Sequence, residues 1–252
     1  MGWRERAKRI PFLAAAVRTV RAVINPEFRN LWRLQRDRQS GLLQPSSMTR
    51  ANRYPELFTF LKHTLADVTS LRLLSYGCST GEEVFSLRAL FPTADITGVD
   101  INPHSISVAE RHLAQHPSPG IAFECASSPA GLPAGHYDAI LCMAVLQHGA
   151  LRQNPPSSCA DYIRFADVAA IVTGLAHCLK PGGLLVIWNS HFRFADMPAA
   201  AGFDTVWQVP PQLAGDTLYY GPDNIRLTGD NGGIDYYGDI VFRKRNCQPG
   251  PL

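Results

Sequence analysis

Nowhere in its 252 residues does the chain hold the roughly 20 consecutive uncharged apolar positions of a membrane-spanning helix; the longest early stretch, 11–17, ends at Arg18. Cysteine is sparse and isolated: Cys78, Cys125, Cys142, Cys159, Cys178 and Cys247 form no CxxC pair and follow no secretory signal. That argues against a disulfide framework and a zinc site, and it predicts a cytoplasmic, reducing setting. No repeat and no low-complexity tract interrupts the chain. The dinucleotide fingerprint G-x-G-x-x-G is missing too, because Ser79 and Glu82 stand where its second and third glycines belong.

What is present is a globular composition, 46% hydrophobic, enough for one substantial core with a helical appendage. The formal charge of +3 is unevenly placed: residues 1–40 carry ten basic and three acidic side chains, or +7, which leaves −4 for the rest. A basic N-terminal helix of this kind can pack on the main domain or make peripheral contact with an anionic membrane. Helix formers fill 7–38 around Asn25-Pro26, residues 41–47 read as a linker, and Pro55 opens a helix to Leu65. The division expected is an N-terminal helical extension over 1–65 and the main domain over 66–252.

From Leu71 onward strand and helix alternate, the pattern of a parallel sheet covered on both faces. Strands are predicted at 71–76, 96–99, 121–125, 138–143 and 184–189, with two more candidates at 205–209 and 239–243. Helices are predicted over 81–91, from Asn102-Pro103 to about 116, and over 160–179, the last stopped by Lys180-Pro181-Gly182-Gly183.

A strand that ends in Gly77-Cys78-Ser79-Thr80-Gly81 and turns into a helix aims backbone N–H groups and a positive dipole end at the carboxyl edge of the sheet. The second strand ends in Asp100, 19 residues beyond Gly81, where a carboxylate can accept from both hydroxyls of a ribose. Glu82 and Glu83 would repel a pyrophosphate and suit a ligand with an ammonium or sulfonium, although Ser79-x-x-Glu82 and Thr80-x-x-Glu83 both also read as capping boxes. Gly77-x-Ser79-x-Gly81 also spells the nucleophile elbow of serine hydrolases. Against that reading, no strands precede the elbow, and only Asp138 and His191 follow as loose triad partners.

The ordered set 73–81, Gly98-Val99-Asp100-Ile101-Asn102, 137–142 with Val145-Leu146-Gln147-His148, and 179–185 resembles the class I S-adenosyl-L-methionine-dependent methyltransferases over roughly 65–245. The resemblance implies an α/β, Rossmann-like fold: a mostly parallel seven-stranded sheet with a reversed last hairpin and helices on both faces. It implies that Gly77, Cys78, Ser79, Gly81 and Glu82 surround the methionine part of the cofactor, that Asp100 holds its ribose, and that Ile101 and Ser127 meet its adenine. Cys142 and Met143 would line the site near the methyl group. The segment 77–83 is especially similar to the loop of chemotaxis-receptor methyltransferases, in which case Thr49-x-x-x-Arg53 would bring Arg53 to the methionine carboxylate. That family carries an extra small sheet between its second and fourth strands, while only 37 residues separate Asp100 from Asp138 here.

Methyl transfer needs a base only when the acceptor must lose a proton. His148 and His191, just past strands four and five, are the candidates; Tyr219-Tyr220, Tyr236-Tyr237, Trp207 and Arg193 are candidate walls of an acceptor pocket. His112 and His116 have metal-ligand spacing but no third ligand, so no metal is expected. The leading expectation is methylation of a small molecule or glycan-like metabolite. Protein carboxyl (glutamate) methylation and a non-catalytic cofactor-binding or interaction protein are the alternatives. A nucleic-acid acceptor is disfavoured, because the body lacks a basic stripe.

Overall fold

The computed structural model describes residues 29–30, 33–34, 41–44, 54–152, 155–210, 218–228 and 237–246. The helices expected over 7–38 fall outside these, apart from Arg29–Asn30 and Arg33–Leu34, which are helical. Helix α1 is Pro55–Thr64, opened by its proline and burying Leu57, Phe58 and Leu61. Then come β1 (Arg72–Tyr76), α2 (Glu82–Leu90), β2 (Asp95–Asp100), α3 (Pro103–Gln115), β3 (Ile121–Cys125), β4 (Tyr137–Met143), α4 (Phe165–Cys178), β5 (Leu179–Trp188), β6 (Phe203–Gln208) and β7 (Asp239–Lys244).

The seven strands form one sheet in the order β3-β2-β1-β4-β5-β7-β6. All pairs from β3 to β5 are parallel, and β7 runs antiparallel to both β5 and β6. This is the Rossmann-like class I methyltransferase fold, reversed hairpin included. The chain moves outward from β1 to β3 and returns to β4, so strand order switches between β1 and β4, and a ligand crevice belongs at their carboxyl ends.

Strand pleat divides the apolar residues between two cores. Leu71 and Leu73 face α1, α2 and α3 in one cluster, while Leu74 and Tyr76 face α4 in the other. Asp138 ties the amino edge together: it accepts the Arg72 backbone N–H at 2.8 Å and pairs with Lys180 Nζ at 2.7 Å. Arg88 staples two loops of the same edge, donating to the carbonyls of Phe91, Pro92, Ala94 and Pro119.

Three local expectations are corrected. The helix predicted from 160 begins at Phe165, whose N–H is taken at 2.7 Å by the distant side chain of Asn224. Lys180-Pro181-Gly182-Gly183 does more than end that helix; it bulges out within β5, whose register with β4 jumps from Leu179↔Tyr137 to Leu184↔Ala139. Neither capping box forms, because the residue before α2 is Gly81 in the left-handed conformation (φ 94°) with no side-chain cap.

Candidate functional site

The backbone leaves β1 through left-handed geometry at Gly77 (φ 80°) and Ser79 (φ 51°). The Val99 carbonyl accepts the N–H groups of both Gly77 and Cys78, at 2.7 and 2.9 Å, which fastens the turn to β2. A Cβ at Gly77 would stand 2.2 Å from Val145 Cγ2, so any side chain there must displace Val145. One at Gly81 would lie 3.0 Å from the rings of Phe85 and Phe123.

Asp100 completes the turn. Its Oδ2 accepts the Ser79 N–H and its Oδ1 the Asn102 N–H, each at 2.8 Å. A carboxylate offers about four lone-pair sites, so about two stay available for further donors. Burial raises the Asp100 pKa above the usual carboxylate range, and the two backbone donors oppose that shift. Asn102 serves as predicted at the start of α3, accepting the His104 N–H at 3.0 Å.

The two glutamates part company. Glu82 takes the Thr80 hydroxyl at 2.8 Å on either oxygen, whereas Glu83 reaches back beneath the turn to the Ser75 hydroxyl at 2.8 Å. Burial raises the Cys78 thiol, and the charges of Asp100, Glu83 and Glu82 raise it further. A ligand that carries positive charge is therefore favoured at this turn and a polyanion opposed.

Other expected site residues lie at the same carboxyl edge with different exposure. Cys78 and Cys142 are buried to 1% and 0%, so what they offer a ligand is backbone. Ile101 and Met143 are half-buried, and Ser127 is exposed. The Ser127 carbonyl is 3.5 Å from the Tyr76 hydroxyl. Arg53 and Thr49 lie outside the described residues, as does Tyr236.

Both candidate histidines are engaged with backbone groups. His191 is 3% exposed, with Nδ1 2.9 Å from the Leu218 carbonyl and Nε2 3.3 Å from the His148 carbonyl. The ring thus lies between the loop after β4 and the loop before β7, and its single N–H in the neutral form can bond to one of the two carbonyls. His148 accepts the Ala150 N–H on Nδ1 at 3.3 Å, which leaves the proton of the neutral ring on Nε2. Burial, and after it His191, lowers the His148 pKa. The hydrolase reading fails on geometry, because Asp138 sits at the amino edge of the sheet and His191 beyond the carboxyl end of β5.

Of the expected acceptor walls, Tyr219 and Tyr237 come together, with ring centroids 5.6 Å apart and the Tyr219 hydroxyl donating to the Tyr237 carbonyl at 3.3 Å, while others lie apart. Tyr220 is fully buried, Arg193 pairs with Asp196 at 2.8 Å, and Trp207 packs near Trp188 with centroids 5.9 Å apart. His112 stacks toward Phe85 at 4.4 Å, and among the described residues no cluster of potential metal ligands occurs. The residues that sequence reasoning missed are those joined by tertiary contact. Asn189 leaves β5 in left-handed geometry (φ 57°) and donates to the Tyr54 hydroxyl at 2.9 Å, and Tyr54 stacks on Trp188 at 4.4 Å. Ala144 leaves β4 in the same conformation (φ 61°), and only for Asn189 does residue type hint at it.

Comparison with known proteins agrees with this geometry. The family profile described as a methyltransferase domain matches residues 74–185. A protein of Synechococcus sp. is 32% identical over 138 residues, covering 54% of this chain and 29% of its own. The ubiquinone biosynthesis O-methyltransferase of Albidiferax ferrireducens is 26% identical over 121 residues, covering 47% and 41%. The trans-aconitate 2-methyltransferase of Methylobacterium nodulans is 30% identical over 116 residues, covering 46% and 37%. The chain thus spans less than half the length of these relatives. Sheet order and matched profile agree in giving residues 74–185 the pattern of a class I methyltransferase domain.

Proposed function

We propose that this chain transfers the methyl group of S-adenosyl-L-methionine to a small-molecule acceptor. The observation that carries the reading is the convergence of the 77–81 turn and the Asp100 carboxylate, joined at 2.8 Å through Ser79 N–H. In this reading the turn holds the methionine part, and Asp100 spends its remaining lone pairs on the ribose hydroxyls. Ile101 and Ser127 border the adenine, and Met143 lies toward the methyl group. Glu82 and Glu83 bear on the ammonium and sulfonium, with Glu83 reaching under the turn.

The transfer is an in-line displacement in which the acceptor–CH3 bond forms as the S–CH3 bond breaks, leaving S-adenosylhomocysteine. Positioning alone supplies about 7 to 11 kcal/mol of such a barrier. An acceptor proton, where there is one, leaves to solvent or to His191, whose neutral ring has one N–H for the two carbonyls it faces and so keeps one basic nitrogen.

A small molecule is preferred to a receptor protein because residues 101–136 fold into α3, β3 and one 3-10 turn, with no additional sheet. The names of the relatives, ubiquinone biosynthesis and trans-aconitate among them, point the same way.

Titration calorimetry with S-adenosylhomocysteine tests the cofactor assignment. Binding is expected, weakened about tenfold or more by Asp100→Ala, the loss of charge-assisted hydrogen bonds. Unchanged affinity removes Asp100 from the site. Labelled-methyl transfer into metabolite and lysate fractions tests the acceptor class, and label confined to base-labile protein esters overturns the small-molecule reading.

A further inference from the structure

Two neighbouring strands end in the same uncommon backbone conformation. β4 ends at Met143 and β5 at Trp188, residues paired in register, and the Ala144 N–H bonds to the Trp188 carbonyl at 2.7 Å. The next residue on each strand, Ala144 (φ 61°) and Asn189 (φ 57°), is left-handed. Residues other than glycine keep this geometry only where their surroundings fix it, and such positions cluster where a protein binds or reacts.

The surroundings of Asn189 come from the other end of the chain. Its Nδ2 donates to the Tyr54 hydroxyl at 2.9 Å, across 135 positions of sequence. Tyr54 is buried and stacked on Trp188, with ring centroids 4.4 Å apart, so its hydroxyl is a fixed acceptor at the carboxyl edge. The chain before α1 touches this edge once more, where Gln44 accepts the Gly149 N–H beyond β4 at 3.3 Å.

Asn189 itself is half-buried rather than sealed in the core. A carboxamide carries two N–H donors and an oxygen with two lone pairs. One donor is spent on Tyr54, and Oδ1 has no partner among the described residues. Asn189 thus keeps an accepting oxygen beside Met143, the residue that borders the methyl group in the reading above.

The nucleophile that suits this oxygen must give a hydrogen and still keep a lone pair for the methyl carbon. A hydroxyl does both. An alkylammonium has no lone pair, and a carboxylate has no hydrogen to give.

Resting on the assignment of S-adenosyl-L-methionine to this crevice, we infer that the acceptor is a hydroxyl compound held by Asn189, with Tyr54 as the residue that positions the Asn189 amide. The hydroxyl donates to Oδ1 and turns a lone pair toward the methyl. The O–CH3 bond forms as the S–CH3 bond breaks, and the hydroxyl proton passes to solvent or to His191, since a carboxamide does not retain it. The products are a methyl ether and S-adenosylhomocysteine.

The test uses the full chain, methyl-labelled S-adenosyl-L-methionine and a metabolite extract as the source of acceptor. Label should enter a product that resists mild base, which cleaves methyl esters, and that passes a cation exchanger, which retains methylated amines. Asn189→Gly keeps the left-handed backbone and removes the amide. It should lower the rate at limiting extract about tenfold, while S-adenosylhomocysteine affinity holds and reports a folded cofactor site. Tyr54→Phe, which keeps the ring and its stack, should lower the rate about threefold in the unaltered chain and not at all in Asn189→Gly, a dependence that a purely structural tyrosine would not show. The product class, read on the unaltered chain, decides the hydroxyl assignment even if a variant unfolds. Label that is base-labile or retained, full rate in Asn189→Gly, or S-adenosylhomocysteine binding without any transfer overturns this inference and leaves the cofactor assignment standing. A Tyr54→Phe loss that persists in Asn189→Gly overturns the positioning role. Absence of both transfer and S-adenosylhomocysteine binding overturns the cofactor assignment as well.

Discussion

Asn224, in the loop between β6 and β7, accepts the backbone N–H of Phe165 at 2.7 Å and so caps α4 across 59 positions of sequence. The same loop returns a second contact, with Cys159 N–H donating to the Asn224 carbonyl at 3.0 Å. Asn224 is itself left-handed (φ 65°), a conformation that asparagine tolerates. Asn224→Gly keeps the backbone geometry and removes only the side chain. It should cost about 1 kcal/mol in denaturant unfolding, the net worth of one hydrogen bond.

Gly77→Ala should be far more costly. A left-handed alanine costs about 1 to 2 kcal/mol, and the contact with Val145 at 2.2 Å adds an overpacking cost of about 1 to 3 kcal/mol. Val145→Ala in the same chain should recover the second part and leave the first, a coupling that a double-mutant cycle in urea would measure.

Because burial raises the pKa of Asp100, the folded, ligand-free protein holds this proton to higher pH than the unfolded chain does. Its contribution to stability is therefore complete below about pH 3.9 and is lost as pH rises through the folded value. Relative to Asp100→Asn, the unaltered protein should lose stability over that rise. S-adenosylhomocysteine, through ribose donors to the carboxylate, should reduce the difference. Parallel pH dependences with and without the ligand would contradict this.

His148 carries the opposite sign. Its folded pKa is lowered, so below about pH 6.5 the unfolded chain takes up a proton that the folded chain resists. Stability is complete above that pH and falls as the solution is acidified toward the folded value. His148→Gln should flatten this part of the profile. His191→Phe, which removes the ring N–H from whichever of the Leu218 and His148 carbonyls it serves, should cost about 1 to 3 kcal/mol while S-adenosylhomocysteine affinity holds.

Beside the expected division at 65 and 66 stands a further proposal, that the separable segment ends before Gly41. Leu43 is buried in the core that contains Tyr76 and Leu146, and Gln44 accepts the Gly149 N–H at 3.3 Å. Tyr54, Leu57, Phe58 and Leu61 are equally part of the opposite core. Deletion of residues 1–40 should leave cofactor binding intact. Deletion of 1–44 should lower stability by about 1.5 to 3 kcal/mol, the value of burying one leucine. Loss of binding in the shorter deletion would place residues 1–40 in the site.

How far sequence reaches is visible strand by strand. The predictions for β1 to β4 fall within a residue of the observed elements, while β5 begins at Leu179, five residues before its predicted start; a strand bounded by a Gly-rich turn or a capped helix is written in consecutive residues. The turn after β1 and the acid after β2 were legible for the same reason, their roles being fixed by spacing from adjacent strands. The fate of the side chains was not. Glu82 and Glu83 carry the same local signal, and only the position of Ser75 on the neighbouring strand turns one of them inward.

Periodicity and turn chemistry, which act over a few residues, were thus determined by the sequence alone: the strand and helix order, the 77–81 turn and the acidic end of β2. Tertiary structure decided what depends on groups brought together from distant positions. It placed His191 between two carbonyls and Asp138 at the opposite edge of the sheet from the 77–81 turn.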